Sequence, residues 1–133
     1  MYKRGVVNDR RTLPKEAHLV VQRLAEHPKV VAVFLFGSWA RGETTPLSDV
    51  DLAVLLREPT PVDEVEVGSL GGPRVDVVLF HRLPLHVQHE VLREGEELFV
   101  RDRAFREEVY ARTVHRYLEM SPLYRALTRE VLG

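Results

Sequence analysis

The chain has 133 residues, a net charge of −1 and no cysteine, which removes disulfides, thiolate metal sites and cysteine nucleophiles together. With 44% hydrophobic and 29% charged residues it reads as one globular domain over 1–133, with room for a single core. It lacks the basic stripe of a nucleic-acid binder and any apolar run near the roughly 18 residues of a membrane span. Met1-Tyr2-Lys3-Arg4 leads into polar sequence rather than a signal-peptide core, so the expected location is the cytoplasm.

Residues 1–11 are polar. From Pro14 to about Glu26, Ala17, Val20, Val21 and Leu24 recur at helical spacing, Pro14 suits an early helix position, and His27-Pro28 stops the helix. Val30 to Phe36 is β-branched and aromatic without polar relief, the pattern of a central strand covered on both faces. A short helix is expected from Ser38, a loop containing Pro46 over 42–48, and a second strand from Val50 to Leu56. After a proline-bounded loop at 57–61, Val65 to Leu70, the Gly71-Gly72-Pro73 turn and Arg74 to Phe80 read as a hairpin. Leu85 to Glu94 reads as a helix closed by Gly95. A longer helix over 102–119 carries Phe105, Val109, Tyr110, Val114, Tyr117 and Leu118, and Ser121-Pro122 reads as the cap and first-turn proline of a separate last helix through Val131. The expected fold class is α/β (α+β), a small mixed sheet flanked by helices.

The chemistry concentrates between these strands. Gly37-Ser38 leaves an apolar run, and ten residues later Asp49 and Asp51 stand one residue apart at the head of the next. Side chains alternate along a strand, so both carboxylates face the same way and can share divalent ions. Magnesium takes one or two carboxylates plus phosphate oxygens, which an Asp-x-Asp supplies. The Gly37-Ser38 turn offers backbone N–H groups to an anion, and the Arg41 guanidinium matches phosphate oxygens. Together these residues describe a site for a metal-bound triphosphate. Asp76 lies among the strand formers of Arg74 to Phe80, where a carboxylate is costly unless paired or bound to an ion. Pairing with Arg74 or Arg82 is the plainer alternative. Asp63, Glu64 and Glu66 compete with Asp76 as a further acidic group, but their charge-rich setting reads as solvated. Trp39 reads as core rather than a stacking platform. His86 and His89, with Glu90 adjacent, read as a solvated helix face rather than a metal pair.

The arrangement Gly37-Ser38, ten residues, Asp49-x-Asp51 resembles the signature of the DNA polymerase β-type nucleotidyltransferase superfamily. With the short length and the Ala40-Arg41-Gly42 continuation it is similar to the minimal nucleotidyltransferases, the MntA-like antitoxins paired with HEPN-domain toxins. The resemblance implies a polymerase β-type fold with its motif core at about 30–80 and C-terminal helices at about 102–132. It implies Asp76 as third metal ligand and general base. It further implies Mg2+ and ATP, with AMP passed to a tyrosine of a HEPN-type toxin. The family also has a helix before its last motif strand, where the residues here read as a hairpin. Two alternatives stay open: a small-molecule nucleotidyltransferase of the aminoglycoside-modifying type, and an antitoxin that acts by binding alone.

Overall fold

The computed structural model describes residues 13–43 and 49–132. Helix α1 (Lys15–Glu26) turns Ala17, Val20, Val21 and Leu24 inward, as their spacing requires, and the extended His27 ends it. Strand β1 (Val30–Phe36) follows and is buried for all but its last residue. It lies inside a sheet of order β3-β2-β1-β4, pairing antiparallel with β2 (Val50–Leu56) on one side and β4 (Glu96–Val100) on the other. β3 (Val75–Leu79) pairs parallel with β2 at the edge. A strand covered on both faces has no polar side to offer, which explains the unbroken apolar run of β1.

The two faces carry separate cores. On one, α1 packs Ala17, Val21 and Leu24 against Val33, Leu35, Leu52 and Val54. On the other, Val91 and Leu92 of α4 (Leu85–Glu94) and Val109 of α5 (Arg103–Leu132) pack against Val31, Phe34, Ala53 and Leu55. Trp39, on the short helix α2 (Ser38–Arg41), is buried in the first core. That matches its reading as a core residue.

Two expectations are corrected, and one strand is added. Of residues 65–70, expected to form the first strand of a hairpin, 65–68 belong instead to helix α3 (Pro61–Gly68) and 69–70 to the turn after it. Thr60 and Asp63 close a reciprocal capping box around Pro61 at the first helical turn, and these start signals outweigh the short apolar alternation that follows. Val67 is buried while Val65 is 72% exposed, so the apparent alternation has no continuous buried face. β4 was not anticipated at all. Its first two residues are Glu96 and Glu97, and Glu97 is held by Arg103 and Arg106. Finally, α5 is one helix of 30 residues with Pro122 inside it rather than two. Pro122 is exposed, where water can take the carbonyl that the missing N–H leaves unbonded.

The expected loop at 42–48 lies mostly outside the described residues; its first residue, Gly42, caps α2. Among the described residues no helix is long and apolar enough to cross a membrane.

Candidate active site

The parallel register of β2 and β3 pairs Asp51 with Asp76 directly. Val50 and Val75, each buried in the first core, flank these positions, so alternation turns Asp51 and Asp76 together to the opposite face of the sheet. Asp49 completes the group one step before β2. Burial pushes the Asp51 carboxyl above its ordinary range, and the nearby charges of Asp76 and then Asp49 push it further, with Arg41 opposing. The sequence-predicted carboxylates are therefore near enough to repel one another. Asp76 itself is exposed on an edge strand, so burial does not single it out as the apolar flanks had indicated. Its position opposite Asp51 does. Of its two expected partners, Arg82 bonds Glu64, and Arg74 has its Nε 3.8 Å from Asp49 Oδ1.

The turn between β1 and α2 closes the site from the other side. Phe36 is the register partner of Asp51, which brings Gly37 against the Asp51 carboxylate. A Cβ at Gly37 would stand 2.6 Å from Asp51 Oδ2, and the residue has φ +77 and ψ −152, a region that is nearly glycine's alone. Ser38 is half-buried beside it. Arg41 ends α2 with its Nε donating to Glu43 at 3.0 Å and its guanidinium 4.0 Å from Glu90. These carboxylates raise its pKa further, Glu43 most.

A hard divalent cation fits this donor set. Three carboxylates with mutual repulsion face a backbone turn that leaves no space for a Cβ, and oxygen donors of this kind suit Mg2+. Among the described residues a tighter group exists at His27, Asp63 and Glu66, whose ligand atoms all lie within 4.8 Å of one another. Its hydrogen bonds describe an ion-pair network instead. The Lys29 N–H donates to His27 Nδ1 (3.2 Å), so Nε2 carries the proton and donates to Glu66 Oε1 (2.8 Å). A cation on Nε2 would force a proton onto Nδ1, against the Lys29 N–H. Lys29 Nζ already neutralises Asp63 at 3.0 Å. Glu64, the third competitor, bonds His81 and Arg82. His89 is not the solvated residue expected; its ring stacks on Tyr117 at 3.9 Å and 2°, joining α4 to α5.

The sequence pointed to Arg74 only as an alternative partner of Asp76; its contact with Asp49 across the two strand entrances was not read.

Comparison with known proteins agrees with this architecture. A family model described as Polymerase beta, Nucleotidyltransferase matches residues 20–104. The chain is 31% identical over 71 residues to a Methanocaldococcus jannaschii protein described as a protein adenylyltransferase, covering 53% of this chain and 57% of that one. It thus spans little more than half the length of that relative. Among solved structures, it superposes on a chain of a toxin–antitoxin structure with AMP-PNP at a TM-score of 0.72 and 22% identity, covering 90% of this chain and 100% of that chain. It also superposes on a chain from a tri-AMPylated Shewanella oneidensis HEPN toxin in complex with MNT antitoxin, at 0.67 and 20%, covering 89% and 97%. At these identities the structures establish likeness of fold. The match over residues 20–104, well over half of the chain, shows that it belongs to the polymerase beta nucleotidyltransferase family.

Proposed function

We propose that this chain is a Mg2+-dependent nucleotidyltransferase that passes AMP from ATP to a tyrosine hydroxyl of a HEPN-type toxin, and so acts as its antitoxin. The observation that carries the reading is the set Asp49, Asp51 and Asp76, held on one face by strand register against the Gly37 turn. Asp49 and Asp51 hold the divalent ion with Asp76 as third ligand. The ion, when bound, neutralises charge on the phosphate oxygens. The Gly37-Ser38 backbone and the Arg41 guanidinium bind the leaving end of the triphosphate, and Arg41 exchanges part of its contact with Glu43 and Glu90 for phosphate.

The transfer balances simply. A bond forms between the acceptor oxygen and the α-phosphorus, the bond from that phosphorus to the bridging oxygen breaks, and its electron pair leaves with pyrophosphate. The acceptor proton passes to the Asp76 carboxylate, whose exposed position at the sheet edge leaves it open to an incoming hydroxyl. The net charge of −1 argues against a nucleic-acid acceptor. The protein acceptor is supported by the adenylyltransferase description of the M. jannaschii relative and the toxin–antitoxin context of the structural neighbours. We place the chain in the cytoplasm, where ATP and such a partner meet.

Incubation of the purified chain with Mg2+ and ATP tests the reading. Little product is expected alone, and addition of a HEPN-type partner is expected to yield an AMP-modified tyrosine by mass spectrometry. Modification of a small alcohol with the partner untouched would reject it. So would inhibition of the partner without added mass.

A further inference from the structure

The acidic site contains a cation that the reaction scheme above does not use. The bond from Val50 N–H to Arg74 O (2.9 Å) carries the parallel register one residue back from Val50 and Val75 and sets Asp49 beside Arg74. The side chains meet there, with Arg74 Nε 3.8 Å from Asp49 Oδ1. The site is therefore a two-by-two array, with Asp49 and Asp51 from one strand entrance facing Arg74 and Asp76 from the next. With the side chains 39% and 66% exposed, such an ion pair adds little to folding stability. It does, however, engage an oxygen that a divalent ion needs. A guanidinium displaced from that oxygen stays beside the group being transferred, and its planar fork matches phosphoryl oxygens.

We propose that Arg74 is a substrate-binding residue that alternates between two partners. It holds Asp49 while the site is empty, and it presents its guanidinium to the transferred α-phosphoryl group once Asp49 has engaged a divalent cation. The pairing keeps the three carboxylates from opening the strand entrance by mutual repulsion. The release supplies positive charge where negative charge accumulates in the transition state. This inference rests on the proposed nucleotidyl transfer for its second half and not for its first.

The test uses the full chain with Arg74→Gln and Arg74→Lys. Titration with Mn2+ alone, followed by electron paramagnetic resonance, reads the first half. Arg74→Gln should bind Mn2+ about 3- to 5-fold more tightly than the wild type, because Asp49 has lost its competing cation. Arg74→Lys, which keeps the charge, should match the wild type. Steady-state AMP transfer reads the second half. Arg74→Gln should lose on the order of 100-fold in kcat/KM for ATP, mostly in kcat, with Arg74→Lys recovering only part because it lacks the fork. Melting temperatures near wild type would establish that the variants are folded. Should Arg74→Gln fail to fold, Arg74→Lys decides, by wild-type Mn2+ affinity with reduced transfer. Unchanged Mn2+ affinity in a folded Arg74→Gln would overturn the pairing, and kcat/KM within about threefold of wild type would overturn the phosphoryl contact. A wild-type protein that transfers no nucleotide would instead refute the proposed function, and the Mn2+ titration would still decide the exchange.

Discussion

Substitution of Gly37 by alanine separates backbone strain from damage to the acidic site, because Gly42 supplies an internal control five residues away. Both glycines have positive φ, +77 and +74, so an alanine at either is strained. Gly42 sits in ordinary left-handed geometry with nothing within 4 Å of an added Cβ. Its alanine variant should lose about 1 kcal/mol, partly offset by the reduced freedom of the unfolded chain. Gly37 lies in a region that costs about 1–3 kcal/mol for a residue with a side chain. Its added Cβ would also meet Asp51 Oδ2 at 2.6 Å, so the carboxylate or the turn must move by several tenths of an ångström. The expected loss is about 2–3 kcal/mol, or roughly 6–15 °C in melting temperature for a chain of this size. The discriminating readout is transfer activity measured well below both melting temperatures. Gly42→Ala should stay within a few-fold of wild type, and Gly37→Ala should lose most of its turnover. Equal stability losses with full activity in Gly37→Ala would refute the argument that this turn is built around the Asp51 carboxylate.

Asp49→Asn and Asp51→Asn should each abolish transfer in a folded protein, since an amide keeps an oxygen but not the charge that holds the ion; near wild-type turnover in either would count against the assignment. Asp76→Asn should bind AMP-PNP nearly as well as wild type while losing most of kcat, and the reverse pattern would make Asp76 structural rather than chemical. The folded-state pKa of Asp51 is raised, so its stabilising contribution is full below its ordinary value of 3.8 and is lost as pH rises through the folded value. In ion-free buffer, Asp51→Asn should therefore melt higher than wild type at neutral pH, with the gap closing in acid. A constant gap would show that electrostatics is not its cause. Asp63 has the opposite sign. The Thr60 N–H, then Lys29, hold its carboxyl at about 2, so its contribution is present above 3.8 and lost as pH falls toward 2. The urea midpoint of Asp63→Asn should lie below wild type at neutral pH and converge with it in acid.

What could be read directly from the sequence was local. β1 announces itself because a strand covered on both faces must be apolar throughout, and α1 because its four inward residues return every three or four positions. The same local logic placed Gly37, Asp49 and Asp51, since a tight turn and a strand entrance depend only on near neighbours. α3 was misread because one buried residue, Val67, leaves almost no periodic signal, and the capping box at Thr60 and Asp63 is the stronger sign. β4 begins with two glutamates, and the counter-ions of Glu97 are Arg103 and Arg106, beyond the strand itself. A strand half made of charges reads as loop until its counter-ions are known.

For the third carboxylate, the structure replaces the reason that the sequence offered. The apolar flanks of Asp76 suggested a costly buried charge, yet the residue is exposed on an edge strand. The flanking Val75 and Val77 belong to the first core, while the acid points the other way. An aspartate on such a strand carries no intrinsic message. It acquires one only because β3 runs parallel to β2 in the register that sets Asp76 opposite Asp51. A shift of one residue would put the acid on the α1 face, among apolar side chains, and leave Asp51 without its partner. Burial of Val75 and Val50 against α1 thus does two things at once: it stabilises the core and fixes the geometry of the acidic site. A substitution that loosens this packing should impair transfer without touching any residue that contacts substrate.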